Sequence, residues 1–228
     1  MSKKIFMLYA SFFTFLLLFC AYGQQNDPHS QKIINEMTAK FKTYPSLSVS
    51  FSATITQQQD RSETEQTGKL WLKNNQYKLE LLPDVVMYCD GTKIYQYMPE
   101  VKEVNVAKID PNESDEDFQL MNPQSYFYLF SSKNFKSEWV KESTLNNRKV
   151  DIINLFPIHL KTTSFSRIQV MIEKSTLQLV YLKAFMKNGI HYALTFTPYE
   201  IRQTALPDSF FAFNKSEHPD VEVIDLSF

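Results

Sequence analysis

Hydrophobic residues near the start of the chain recur at the spacing of a helix, and the pattern then changes to a period of two. A helix over residues 28–43 is predicted, because Pro28 suits a first helical turn and Pro45 ends the pattern. Its apolar stripe consists of Ile33, Ile34, Met37 and Phe41. Between residues 49 and 56, hydrophobic residues alternate with Ser and Thr, which predicts a half-buried β-strand.

Most of the remaining chain consists of strand-like segments joined by short turns. Residues that tolerate a positive φ recur at Asn74-Asn75, Asp90-Gly91, Asn146-Asn147 and Asn188-Gly189, which predicts consecutive antiparallel hairpins. We expect about eleven or twelve strands in all. Those after the first are expected at residues 67–73, 77–82, 85–89, 93–98, 103–107, 136–142, 148–156, 165–173, 177–187, 191–201 and 221–226. Segment 177–187 is apolar on both faces and therefore needs cover on both sides.

The strand pattern is interrupted between residues 108 and 135. An acidic loop at 110–117 is followed by an apolar stretch in which Tyr126, Leu129 and Phe130 share one face if the chain is helical after Pro123. We expect a short apolar helix here that lies across the sheet. Two or three helices are predicted in total.

The first 23 residues have the pattern of a secretory signal peptide. Lys3 and Lys4 form the basic end, residues 5–19 are apolar, and Ala21-Tyr22-Gly23 is a small-x-small cleavage site. We therefore expect export, with a single mature domain over residues 24–228. An uncleaved anchor and a lipid-modified Cys20 are the two alternatives. Cleavage after Gly23 would leave Cys89 as the only cysteine, so that no intramolecular disulfide could form.

Composition excludes several functional classes. The 228 residues carry 24 Lys and Arg against 25 Asp and Glu, so there is no cationic excess for binding nucleic acid. The 4 glycines are scattered, which argues against phosphate-binding loops and nucleophile elbows. The histidines and cysteines lack metal-ligand spacing, and no nucleophile pairs with a base. We therefore expect a protein without metal or cofactor that is not an enzyme.

Four stretches together, in order and spacing, resemble the LolA family, the periplasmic carriers of outer-membrane lipoproteins. None is diagnostic alone, since each is mostly hairpin sequence, but together they cover nearly the whole mature chain. The four are residues 51–57 (FSATITQ); residues 68–73 (GKLWLK) with 77–81 (YKLEL); residues 90–99 (DGTKIYQYMP) with 103–106 (EVNV); and residues 211–213 (FAF) with 219–225 (PDVEVID).

The resemblance implies a mainly β (α+β) fold, in which a single strongly curved antiparallel sheet forms an unclosed half-barrel whose concave face is capped by helices. It implies a periplasmic, monomeric chaperone that buries lipoprotein acyl chains between the sheet and a helical lid. Its partners would be an inner-membrane lipoprotein-releasing ABC transporter and an outer-membrane acceptor. A lipid-binding or stress-sensing envelope protein on the same fold is the alternative.

Apolar residues on the predicted helices and strands are expected to line the acyl-chain cavity. These are Met37, Phe41, Val49, Phe51, Tyr77, Leu79, Leu81, Leu129 and Phe130. Where the family commonly has Lys-Arg-Pro after the second strand, this chain has Lys73-Asn74-Asn75, so it lacks the arginine that ties down the lid in the family. Lys73 and Asn74 are therefore the expected lid-contact positions.

Overall fold

The computed structural model describes residues 26–81, 83–109, 135–159, 161 and 163–226. Within these residues one α-helix, α1 (Pro28–Phe41), precedes thirteen strands. The strands are β1 (Ser46–Gln57), β2 (Glu63–Lys73), β3 (Gln76–Leu81), β4 (Val85–Cys89), β5 (Lys93–Met98), β6 (Glu103–Lys108), β7 (Phe135–Leu145), β8 (Arg148–Pro157), β9 (Phe165–Glu173), β10 (Leu179–Met186), β11 (Ile190–Phe196), β12 (Glu200–Arg202) and β13 (Glu222–Asp225). Two short 3₁₀ turns, Asp208–Phe211 and Lys215–Glu217, precede β13.

All thirteen strands belong to one curved, unclosed sheet in the order β13-β6-β5-β4-β3-β2-β1-β11-β10-β9-β8-β7, with β12 paired beside β1. Neighbouring strands are antiparallel except β13, which runs parallel to β6. The central strand β1 joins two hairpin series, one on each side. This architecture is the half-barrel that the sequence resemblance implies.

Helix α1 begins on the edge strand β7. The Asp27 carboxylate accepts hydrogen bonds from the backbone N–H of His29 at 3.0 Å and of Trp139 at 2.9 Å, which caps the helix and attaches it to the sheet. The Asn26 side chain accepts another from the backbone N–H of Ser137 at 3.1 Å. These contacts satisfy polar groups on a strand edge that would otherwise be open to pairing with another chain.

The two faces of the sheet have different cover. The face that carries Val49, Leu70 and Leu79, here called the helix-side face, packs with the apolar stripe of α1 in the main hydrophobic core. The opposite, outer face is covered near β6 by residues 203–226, here called the C-terminal segment. There Phe213 packs against Tyr95 and Tyr97, beside a small core that consists of Val104, Val106 and Val221.

Several predicted boundaries differ from the structure. The helix ends at Phe41 rather than at residue 43, and β2 begins at Glu63 rather than at residue 67. The first residues of β2 are exposed and mostly polar, so they carry no periodic signal; pairing with β1 extends the strand. The expected helix near Phe130 lies outside the described residues, which contain one α-helix.

The long strand expected over residues 191–201 is two strands, β11 and β12. Pro198 lies between them, and proline has no N–H to donate to the ladder. Leu177 lies in the turn before β10 with φ of 55°, not in the strand. The prediction that this strand is covered on both sides is confirmed at its beginning, where Leu179 and Val180 are both fully buried.

The predicted turns are confirmed by their backbone angles. Asn74, Asn146 and Asn147 have positive φ values of 48°, 47° and 63°, and Gly91 and Gly189 have values of 95° and 83°. Asn and Gly adopt this left-handed conformation more readily than other residues. Four hairpins could therefore be predicted from their turn residues, whereas the turns at Arg61, Lys102 and Leu177 also have positive φ without an Asn or Gly signal.

Candidate functional site

Cross-strand register places apolar residues in rows on the helix-side face. In an antiparallel sheet, residues directly opposite each other share a face. Three rows run from β1 towards β5: Leu47, Leu72, Tyr77, Cys89 and Ile94; Val49, Leu70, Leu79 and Met87; and Phe51, Gly68, Leu81 and Val85. The predicted sheet residues of the cavity therefore lie on one face.

Exposure is higher at the far ends of these rows than beside β1, although the first row stays buried as far as Cys89. In the middle row, Val49 is 1% exposed, Leu70 2% and Leu79 9%, whereas Met87 is only half-buried. Ile94 and Leu81, at or near the far ends of the other rows, are likewise half-buried. The apolar face thus extends beyond its closely packed part.

Helix α1 packs on the same face, towards the β7 edge of the sheet. It runs closest to β7, and Met37 and Phe41 enter the same core as Val49, Phe51, Tyr77 and Leu79. Leu81 packs against that core, while Leu129 and Phe130 lie outside the described residues. The structure therefore brings seven of the nine predicted residues together, six of them in a closely packed arrangement.

Lys73 and Asn74 lie at the β2–β3 turn. The Lys73 Nζ donates to the carbonyl oxygen of Leu206 at 2.7 Å and pairs with the Asp208 carboxylate at 2.5 Å. The side-chain hydrogen bond from Lys73 lowers the pKa of Asp208 below its usual range. Lys73 thus holds the C-terminal segment, whereas a contact of this turn with a lid remains a prediction.

A cavity of about 780 Å³ opens between β1, β2, β11 and the β7–β8 turn. Its volume lies within the range of small-molecule sites. Two lining residues are Phe51 and Phe196, whose rings lie 6.3 Å apart and are buried. The rest of the lining is Ser50, Ser52, Thr67, Gly68, Lys69, Glu80, Asn146, Arg148, Thr195, Thr197 and Pro198.

A local separation of two strands places Arg148 in this lining. The ladder between β10 and β11 runs only from the Tyr181–Thr195 pair to the Phe185–His191 pair. Beyond it, the Arg148 Nη2 donates to the carbonyl oxygen of Phe196 at 3.1 Å. Of the predicted cavity residues, only Phe51 lines this cavity. Arg148 and Phe196 were not predicted from the sequence, because the long-range fold that brings the start of β8 beside the end of β11 is not encoded in local periodicity.

Titratable and thiol groups among the described residues offer little chemistry. Burial raises the pKa of the Cys89 thiol to about 11, so this free cysteine is protonated and unreactive at neutral pH. Burial also raises the pKa of Tyr199, whose hydroxyl donates to the carbonyl oxygen of Leu179.

In the described part of the chain, His, Cys, Asp and Glu do not group as metal ligands. No described helix is long and apolar enough to cross a bilayer.

One comparison with a solved structure supports the fold. No protein-family model and no curated protein sequence matches this chain. An uncharacterised conserved protein from Thermus thermophilus has a similar structure, with a TM-score of 0.54 at 10% identity over 86% of this chain and 99% of that one. A DUF1329-family protein from Desulfovibrio piger gives 0.49 at 12% identity over 85% and 99%. A LolA-superfamily protein from Nitrosomonas europaea gives 0.43 at 12% identity over 81% and 97%.

Proposed function

We propose that this protein is a periplasmic carrier of lipoproteins that shields their acyl chains on the helix-side face of the half-barrel. The observation that carries the proposal is the partial exposure of the far ends of the apolar rows, at Met87 and Ile94. A filled core would bury Met87 and Ile94 as fully as Val49, whereas a surface for apolar cargo leaves part of the face accessible.

The hydrophobic effect is sufficient to hold such a cargo. Each methylene removed from water contributes about 0.8 kcal/mol, so an acyl chain binds without any specific polar contact. Binding of this kind needs no cofactor, metal or covalent step. The apolar face therefore supports a stoichiometric carrier rather than an enzyme.

The route of the cargo completes the proposal. A signal peptide over residues 1–23 delivers the protein to the periplasm, where an inner-membrane lipoprotein-releasing ABC transporter supplies the lipoprotein and an outer-membrane acceptor takes it. The sequence stretches that resemble the LolA family support this route. Residues Lys73 and Asn74 are proposed to contact the lid at the β2–β3 turn.

Two substitutions at adjacent positions of β4 test the proposal. Met87 faces the helix side and Val86 the outer face, and both are half-buried. Met87→Glu places a carboxylate on the cargo surface, so we expect the affinity for a fluorescent diacyl lipopeptide to fall at least tenfold. Val86→Glu is the control and should keep the affinity within about twofold.

Melting temperatures of both variants separate binding from folding. The proposal predicts that the melting temperatures of Met87→Glu and Val86→Glu fall by similar amounts. The affinity for the lipopeptide should fall strongly in Met87→Glu alone. Wild-type affinity in folded Met87→Glu protein would contradict it.

A further inference from the structure

We propose that the outer face of strands β7 to β10 is a docking surface for an anionic phospholipid bilayer. This surface, here called the cationic patch, combines basic side chains with partly exposed aromatic rings. It consists of Lys136, Lys141, Arg167, Tyr181, Lys183 and Phe185. The cationic patch lies on the opposite side of the sheet from the apolar face proposed to hold cargo, so it is an interaction beyond the carrier function.

Strand β10 carries aromatic residues on its outer face. Its residues Leu182 and Ala184 belong to the main core, so Tyr181, Lys183 and Phe185 face outward. Antiparallel strands with one solvated face usually carry polar residues on that face. Tyr181 and Phe185 are both only half-buried. Part of their apolar surface is therefore open to a partner.

The ring of Phe185 contacts two cations. The Arg167 guanidinium carbon is 4.1 Å from the ring centre, and the Lys183 Nζ is 5.3 Å from it. Arg167 lies directly opposite Phe185 on β9, and Lys183 pairs with the residue two positions after Arg167. Such diagonal neighbours are about 7–8 Å apart, so the phosphate of one lipid head group can contact both cations.

The outer face of β7 to β10 has an excess of basic groups. Within the described chain, the four lysines and arginines of the cationic patch form no ion pair with a carboxylate. The strand register places five basic side chains against two carboxylates on this face, namely Lys136, Lys141, Arg148, Arg167 and Lys183 against Glu138 and Glu173. Glu173 lies 3.8 Å from Arg148, which leaves Glu138 to oppose the four cations of the patch.

The nearly equal numbers of acidic and basic residues in the whole chain do not cancel this local excess. Exposed charges are screened over about 8 Å at physiological ionic strength, so a membrane surface responds to the groups nearest to it. Glu138 is three strands from Lys183, about 14 Å at the usual strand spacing. Glu65, on the other side, is also three strands away. Each basic residue held near an anionic surface adds to the attraction.

The position of the cationic patch within the sheet favours a bilayer over an acidic peptide. Strands β8, β9 and β10 are each paired on both sides, so their backbone groups are not available to an added peptide strand. A partner must therefore contact side chains. Basic residues beside aromatic rings suit lipid head groups, because apolar stems and rings enter the interface while the charges stay with the phosphates.

Vesicle flotation of the full mature protein tests the inference. Vesicles of phosphatidylcholine with about 30% phosphatidylglycerol supply the anionic surface, and pure phosphatidylcholine vesicles lack it. We expect binding to the anionic vesicles to be at least tenfold tighter in about 50 mM salt. The preference should disappear in about 0.5 M salt, where charges are screened over about 4 Å.

Paired substitutions assign the binding to the cationic patch. Arg167→Gln with Lys183→Gln should weaken binding to the anionic vesicles at least tenfold. Lys42→Gln with Lys108→Gln removes the same charge at exposed positions after α1 and at the end of β6, and should change binding less than twofold.

A second pair of substitutions avoids the contacts with Phe185. Lys136→Gln with Lys141→Gln, on the edge strand β7, should weaken binding at least threefold. Melting temperatures show whether each variant is folded, and this pair decides the matter if Arg167→Gln with Lys183→Gln does not fold. Equal affinity for the two kinds of vesicle, or an equal loss in the Lys42 and Lys108 control, would overturn the inference. Binding of a glutamate-rich peptide without binding of vesicles would overturn it too, in favour of an acidic protein partner.

The Met87→Glu variant separates this inference from the proposed function. Met87 faces the helix side, so vesicle binding should be unchanged in this variant. Loss of vesicle binding in folded Met87→Glu protein would show that the lipids bind the helix-side face and would overturn the docking surface. If the protein binds anionic vesicles through the cationic patch but does not bind the lipopeptide, the docking surface stands and the carrier proposal is wrong.

Discussion

At Gly68 the backbone leaves no room for a side chain. A Cβ there would lie 2.5 Å from Cζ of Phe51 and 2.6 Å from the carbonyl oxygen of Glu80. The Phe51 ring occupies this space and forms part of the cavity wall. A glycine in the middle of a strand, which usually weakens it, here permits close packing of an aromatic ring.

Gly68→Ala should therefore destabilise the protein. Because the Glu80 oxygen is a backbone atom, the strand must shift, and we expect a loss of about 1–3 kcal/mol in the free energy of unfolding. Urea denaturation measures it, with Gln66→Ala, an exposed position on the same strand, as the control. Equal stability of the two variants would show that β2 and β3 adjust without strain.

The stability that Asp27 gives to the start of helix α1 depends on pH. Burial alone would raise the pKa of this carboxyl, but hydrogen bonds from the backbone N–H groups of Trp139 and His29 outweigh it and hold the pKa below its usual value. A lowered pKa in the folded state gives stability that is present above the ordinary pKa and is lost as the pH falls through the folded-state value.

Asp27→Ala should accordingly cost about 1 kcal/mol at pH 7, the usual contribution of a helix cap. Since protonation removes the same contribution from the wild type, the difference between the two proteins should shrink as the pH falls from 5 to about 3. Urea unfolding at several pH values checks this, with the exposed Asp84→Ala as control. A difference that is constant over this pH range would contradict the assignment.

At the scale of elements, the C-terminal segment is attached to the outer face mainly by aromatic contacts. The ring of Phe213 lies 5.5 Å from that of Tyr97, 6.0 Å from Tyr88 and 5.2 Å from His218. The short strand β13 then pairs with β6 and continues the sheet. This segment covers those tyrosines together with Lys78, whose Nζ lies 5.3 Å from the centre of the Tyr88 ring.

Phe213→Ala should release this segment. We expect a loss of about 2 kcal/mol, since several aromatic pairs of about 0.5–1.5 kcal/mol each are removed together. Amide hydrogen exchange should increase in residues 206–225 and stay unchanged in β8 and β9. Ser216→Ala, on the same segment but exposed, is the control, and unchanged exchange in Phe213→Ala would show that β13 pairing alone holds the segment.

Local patterns predicted those elements whose own residues alternate or repeat. The alternation of β1 and the Asn and Gly turns predicted the first strand and four hairpins, because side-chain direction and φ are local properties. The polar start of β2 and the division of residues 191–201 at Pro198 were not predicted correctly, since pairing with a distant strand decides them. The cavity beside Arg148 was missed for the same reason.

At the scale of the whole molecule, the two faces of the curved sheet have different roles. Its helix-side face is densely packed near β1 and α1 and is only half-buried at Met87 of β4 and Ile94 of β5, which gives the fold a stable core beside a partly accessible apolar surface. Its outer face is held by the C-terminal segment. A carrier needs this division, because cargo must enter and leave without disturbing the core that maintains the fold.

Binding of acyl chains to the helix-side face can be measured by mass spectrometry of compounds extracted from protein purified natively from the periplasm. We predict lipoprotein-derived acyl chains at near-stoichiometric amounts in wild-type protein and their loss from folded Met87→Glu protein. Recovery of wild-type protein free of acyl compounds, or equal amounts in both proteins, would contradict it.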